Sequence, residues 1–230
     1  MAVPAEQLRL GRTEARLTQV EAAKRLGVSQ PYLSQLERGQ RAVTERLARA
    51  AVKLYRLEPT TLPVPSEPPM AGMQRDRLAR QLAALGYPGY SHLRSGPAVN
   101  PAVVLLEAVS EDNLDARVTE ALPWVLMRYP DLEWDWLLTH AKLRNVQNRL
   151  GFLVELAGEL AENRAEGPSA KRLKEAEQQL ERARLAAETT LGRETMPAAE
   201  RNWLRRNRSP EAARWNVLTS LSAEQLPYAG

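Results

Sequence analysis

The stretch Leu17–Arg41, LTQVEAAKRLGVSQPYLSQLERGQR, leaves the chain little conformational choice. Thr18 can cap a helix from its N-terminus, and Glu21, three residues on, closes a capping box. Val20, Ala23 and Leu26 follow at a spacing of three, which predicts one buried helical face. Gly27 can adopt the tight or left-handed backbone that other residues resist. Ser29 caps a second helix, and Pro31 falls in its first turn, where a missing N–H costs little. Leu33 and Leu36 point to the core, which leaves Gln30, Tyr32, Ser34 and Gln35 facing outward. A further turn follows at Gly39. The pattern is a helix, a turn and a second helix with a polar outer face.

The flanks support the same unit. Ala5–Ala15 reads as a helix with Leu8 in the core, weakened by Gly11, because glycine costs roughly 1 kcal/mol relative to alanine inside a helix. Thr44 can cap the next helix, whose apolar positions Leu47, Ala50, Ala51, Leu54 and Leu57 keep helical spacing. Residues Met1–Glu58 contain 11 Lys+Arg and 6 Asp+Glu; the rest of the chain contains 21 and 22. The surplus positive charge therefore lies with the helix-turn-helix, as suits a surface that neutralises phosphates.

Leu17-Thr18-Gln19, Ala23, Leu26-Gly27-Val28-Ser29, Leu33-Ser34 and Leu36-Glu37-Arg38-Gly39 together resemble the Cro/CI-type (XRE-like) helix-turn-helix regulators. The resemblance spans Ala5–Leu57 and implies a lambda-repressor-like fold that binds double-stranded DNA. It implies that Gln30 and Gln19 cooperate, one on a base and one on backbone phosphate. Ser29, Tyr32, Ser34 and Gln35 complete the face on the second helix. Arg38, Gln40 and Arg41 occupy the loop that meets phosphate. Glutamine suits base readout, because its amide bonds an adenine edge bidentately in the major groove. Pro31-Tyr32 departs from the small polar residues common in the family, so no operator sequence carries over. A module of this kind that makes only protein contacts is the other reading.

Pro59–Pro69, PTTLPVPSEPP, has five prolines in eleven residues. Proline at that density favours extended, semi-rigid chain. The predicted organisation is residues 1–58 as the DNA-binding domain, 59–69 as a linker, and 70–230 as an all-α domain for dimerisation, effector sensing or partner binding. An ordered loop across one body is the alternative for the proline stretch. Beyond it, helices are predicted over Met73–Leu85, Pro101–Val109, Asp115–Met127 with a kink or break near Glu120 from Pro123, Asp131–Thr139, and Leu143–Ala161. Gly167-Pro168 is expected to stop the last of these. A strand is the second reading for Pro101–Val109, given Val103 and Val104. Lys171–Leu191 reads as a charged helix with a narrow seam of Leu173, Ala176, Leu180, Ala183 and Ala187, packed in its own domain or against a second copy. Pro197–Trp203 begins a last helix, and Trp215, Leu218 and Leu221 anchor the tail. The fold class is all-α.

Several chemistries are disfavoured. There is no cysteine, and His92 and His140 are the two histidines, so no metal centre and no cofactor is expected. No P-loop, GxSxG or Gly-rich dinucleotide turn is present. His140 precedes Arg144 and lies too far after Arg128, the nearest upstream arginine, for an arginine–histidine pair, and nothing ties it to Asp112 or Asp115; no enzymatic activity is expected. No apolar run approaches the roughly 20 residues that span a bilayer. No secretion signal opens the chain, so a cytoplasmic protein without membrane contact is expected. Arg201, Arg205, Arg206 and Arg208, with Arg214, Trp203 and Trp215, form a possible partner surface, or else a solvated helix face over core tryptophans. Tyr129–Trp136 offers a partner pocket or, on the plainer reading, core aromatics and capping carboxylates. The expected function is sequence-specific transcriptional regulation by a homodimeric repressor. The alternative is an antitoxin whose second domain binds a toxin protein. The segments ALPWVLMRYPDLEWDWL and QNRLGFLVELA are similar to regulators paired with nucleotidyltransferase-type toxins.

Overall fold

The computed structural model describes residues 4–68, 72, 75–93, 96, 97 and 99–226, without the side chain of residue 75. It divides into two compact units: Met1–Glu67 with Pro97–Asn100, and Pro68–Gly96 with Pro101–Gly230. Both are built mainly of helices.

The first unit contains α1 (Ala5–Glu14), α2 (Gln19–Leu26), α3 (Gln30–Glu37) and α4 (Glu45–Tyr55). Local chemistry sets each boundary. Thr18 and Glu21 form the capping box that opens α2, and Gly27 ends it at a φ of 69°. The Ser29 hydroxyl accepts from the Tyr32 N–H at the start of α3, and Thr44 caps α4. The core is Leu8, Ala22, Ala23, Leu33, Leu36, Val43, Leu47, Ala48, Ala51, Val52, Tyr55 and Leu62. The helices lie where they were expected, but two faces are turned. Val20 is 66 % exposed, because α2 buries the adjacent alanines Ala22 and Ala23. Ala50 is exposed, and the α4 stripe runs through Ala48, Val52 and Tyr55. Gly11 is a site of close approach: a Cβ there would lie 2.5 Å from Leu57 Cδ2 and 3.2 Å from Tyr55 Cβ. The absent side chain lets α1 meet the end of α4, which outweighs its helix-propensity cost.

The proline-rich stretch is not a free linker. Pro59–Thr61 forms a 3-10 turn, Leu62 joins the core of the first unit, and Val64 is buried. Asn100 Nδ2 donates to the carbonyls of Thr60 (3.3 Å) and Leu62 (2.6 Å), pinning the extended chain. These contacts extend the first unit to Glu67; Pro69 lies outside the described residues.

The second unit contains α5 (Arg75–Ala84), α6 (Pro101–Ser110), α7 (Ala116–Arg128), α8 (Trp134–Leu143), α9 (Gln147–Asn163), α10 (Gly167–Glu181), α11 (Ala198–Asn207) and α12 (Pro210–Arg214). Met73 and Gln74, placed in the first predicted helix, lie outside the described residues. Residues Pro101–Val109 are buried along their whole length as a helix, which removes the strand reading. Pro123 sits inside α7 without breaking it. α8 starts at Trp134 rather than Asp131, and its buried stripe is Leu137, Leu138 and Ala141.

α9 starts four residues later than the periodicity suggested, because Asn145 turns the chain at a φ of 58°. From Gln147 to Val154 every residue of α9 is buried, Phe152 included. Arg149 lies inside, donating to the carbonyls of Val109 and Glu111 (3.0 Å each), to Thr189 Oγ1 (3.1 Å) and to Glu194 Oε1 (2.6 Å). Asn148 bonds the backbone of Leu185 in both directions. These polar side chains reward an irregular backbone over residues 182–190, so the predicted helix Lys171–Leu191 ends at Glu181. Leu173, Ala176 and Leu180 are buried, whereas Ala183 and Ala187 lie beyond the helix. α9 and α10 form a hairpin. Gly167-Pro168 opens α10 instead of stopping α9, which ends at Asn163 ahead of Ala165 at a φ of 56°. The irregular segment reaches β1 (Thr189–Thr190), which pairs in parallel with β2 (Val217–Leu218).

Glu159, on α9, is pushed up to about 7 by burial and by the carboxylates of Glu211, Glu155, Glu162 and Glu177. Between its ordinary value of 4.5 and about 7, the folded chain keeps a proton that the unfolded chain has released. Stability therefore falls as pH rises through that window. Glu159→Gln is expected to raise stability by about 1 kcal/mol at pH 8, a figure discounted for partial solvent screening, and to leave it nearly unchanged at pH 4. Urea unfolding midpoints at the two pH values check this.

Candidate nucleic-acid interface

α3 is amphipathic in the expected sense. Leu33 and Leu36 are fully buried, Gln30 is exposed, and Tyr32, Ser34 and Gln35 are half-buried. Ser29 uses its hydroxyl as the N-cap, so its contribution is to hold the first turn of α3. That turn carries Gln30, whose Nε2 donates to Gln19 Oε1 at 2.8 Å. The two glutamines paired by resemblance thus touch across the turn between α2 and α3.

Behind them lies a pair that the residue pattern did not single out. Glu37 is 7 % exposed and accepts from Arg12 Nε at 2.6 Å and Arg12 Nη2 at 3.0 Å. Gln19 Nε2 donates to the same carboxylate at 2.9 Å. The hydrogen bond to Glu37 raises the Arg12 pKa against an opposing loss of solvent. Burial pushes the nearby Tyr55 hydroxyl up to about 12, with Glu37 adding to the effect. A signal was available: Glu37 lies four residues after Leu33 and one after Leu36, on the buried side of α3, and only a partnered carboxylate tolerates that position.

The two arginines after α3 are anchored on the helix. Arg38 Nη2 donates to Ser34 Oγ at 2.9 Å, and its Nε to the Ser34 carbonyl at 3.1 Å. The Arg41 guanidinium lies 5.7 Å from the Tyr32 ring centroid, a cation–π arrangement that also limits its wandering. Gln40 and Arg41 are exposed. Every residue expected on the DNA-binding face is therefore in the first unit, on α3, its cap or the segment after it, except Gln19 at the start of α2.

The second arginine cluster is differently placed. Arg205 makes a bidentate bond to Glu188, and Arg208 reaches Glu188 and the Val217 carbonyl. Arg201 donates to the Glu194 carbonyl, and Arg214 clasps Glu155, Glu177 and Glu181. Arg206 is exposed. The cluster ties its own unit together through carboxylates and carbonyls, which weakens it as a basic surface. Trp215 is in the core, while Trp203 is 57 % exposed. Tyr129 is core, its hydroxyl bonding the Leu85 carbonyl, and Trp136 meets His140 at a tilt of 57° with ring centroids 4.7 Å apart.

Among the described residues, no group of His, Cys, Asp and Glu could hold a metal ion, and no helix is long and apolar enough to cross a membrane. No curated protein and no solved structure matches the chain. Residues 5–63 match the family model described as a helix-turn-helix domain, so the first unit is a helix-turn-helix domain of the kind that DNA-binding regulators carry.

Proposed function

We propose that the chain is a sequence-specific transcriptional regulator of Cro/CI (XRE-like) type, acting in the cytoplasm as a dimeric repressor. The observation that carries this reading is the outer edge of α3. Gln30 stands exposed in the first turn of the helix, the end that enters the major groove in this motif, with its amide held by Gln19. Arg38 and Arg41 follow the helix, each braced on an α3 side chain, as phosphate-positioning groups require. A single module of this size touches few bases, so useful specificity calls for two copies on paired half-sites. The second unit supplies the dimer contact or the response to an effector, and no catalytic role is assigned to it.

Selection of bound DNA from a random pool tests the reading. The expected product is a short preferred sequence repeated with two-fold symmetry, and a pool that stays random overturns it. A monomer by light scattering, both free and on the selected site, overturns the dimer. Gln30→Ala is expected to cost about 1–3 kcal/mol of discrimination at one base pair. Arg41→Ala is expected to weaken all sequences alike and to flatten the salt dependence by about one phosphate contact.

A further inference from the structure

The hydrogen bonds behind Gln30 have a direction. A carboxylate only accepts, so Glu37 obliges Gln19 to turn its amino end inward. The Gln19 carbonyl oxygen then faces Gln30, which must answer with an N–H, and does so at 2.8 Å. Turning the Gln30 amide over would set two carbonyl oxygens against each other. Gln30 is left with its own carbonyl oxygen and one remaining N–H for the solvent side. That pair matches the N6 amino group and N7 acceptor that adenine presents in the major groove. If the chain of bonds ran the other way, the Gln30 oxygen would be occupied. Its amino group would then offer donors alone, which suit the O6 and N7 acceptors of guanine.

We propose that the buried Arg12–Glu37 pair is a positioning device for base readout: through Gln19 it fixes the orientation of the Gln30 amide and so selects adenine over guanine. Neither residue touches DNA. The proposal rests on the reading of α3 as the DNA-reading helix, and it adds what sets the specificity of that helix.

The test is selection from a random pool with the full chain and two variants. The double variant Arg12→Met with Glu37→Leu removes the acceptor that turns the Gln19 amino end inward and leaves no charge buried, so the direction of the relay is lost. The adenine-to-guanine ratio at the Gln30-read position is expected to fall at least about tenfold, with the other positions unchanged. Gln19→Met leaves the ion pair in place and cuts the relay. Discrimination between adenine and guanine there is expected to fall about tenfold with no new preference, and this variant decides the matter if the double variant does not fold. The proposal is overturned if the unaltered chain prefers a base other than adenine there, if Gln19→Met keeps the original ratio, or if a folded double variant only lowers affinity for every sequence evenly. A purely structural role for Glu37 would produce that last pattern. If the unaltered chain selects no sequence at all, the DNA-reading function fails and the relay with it. If it selects a site and Gln30→Ala blunts one base pair while both relay variants leave that base pair alone, the relay fails and the function stands.

Discussion

Arg12→Met is expected to lower the stability of the first unit by about 3–5 kcal/mol, among the largest effects open to a single substitution there. The reason is what it leaves behind. The Glu37 side chain is only 2 % exposed, and Arg12 supplies two of the three hydrogen bonds to its carboxylate. Without the guanidinium, a negative charge stays among Leu33, Leu36 and Tyr55 with one glutamine amide for company, or takes up a proton at a cost in free energy. The double substitution Arg12→Met with Glu37→Leu removes both charges and is expected to recover most of the loss, because a buried pair often contributes little beyond its apolar replacement. Arg49→Ala is the natural control. Its pair with Glu45 is exposed and joins residues four apart on α4, so its loss is expected to cost at most about 0.5 kcal/mol. Urea unfolding together with hydrogen exchange at the amides of Leu8, Ala23 and Leu33 reads the three variants. An Arg12→Met effect no larger than that of Arg49→Ala would show that solvent reaches Glu37 freely. The double variant also separates fold from readout, since it restores the core and removes the anchor of Gln19.

What could be read from the residues alone follows from how local the determining chemistry is. Thr18, Glu21, Gly27 and Ser29 act within four residues of themselves, so the boundaries of α2 and α3 were legible, and so was the outward face of Gln30. Val20 and Ala50 were misplaced because helices rich in alanine carry a weak hydrophobic signal. Small residues can pack at any close approach, and the partner helix decides which ones do. Glu37 was passed over because its burial depends on Arg12, a partner 25 residues away. The same distance dependence hid the proline stretch, whose order rests on Asn100, and the early end of α10, whose alternative backbone is stabilised by Asn148 and Arg149. Helical periodicity over Lys171–Leu191 described a real preference. The hydrogen bonds offered by α9 compete with it successfully over the last part of that segment.

In the second unit the largest effect is expected from Gly151→Ala, a substitution that helix propensity alone would favour by about 1 kcal/mol. Gly151 lies inside α9, and a Cβ built on it would collide with Cε3, Cζ3 and Cη2 of the fully buried Trp215. The indole therefore rests on bare helix backbone. Its Nε1 donates to Glu155 Oε2 at 2.6 Å, one turn along the same helix, while Arg214 holds the other oxygen of Glu155. A methyl group at 151 has no flexible side-chain end to displace, only the ring plane. Trp215 must leave its seat, which forfeits the packing of the largest fully buried side chain and the bond to Glu155. The loss is expected to approach that of Trp215→Ala, about 3–5 kcal/mol. Because both changes empty the same site, the double variant is expected to be no less stable than Trp215→Ala alone, and the two effects should be far from additive. Thermal unfolding of the three variants gives the comparison. The sign of the Gly151→Ala effect is decisive: a rise in melting temperature would mean that propensity governs position 151 and that the indole packs elsewhere. A fall of the size expected would make glycine at this position a requirement of the tertiary fold, imposed by a residue 64 positions later in the chain.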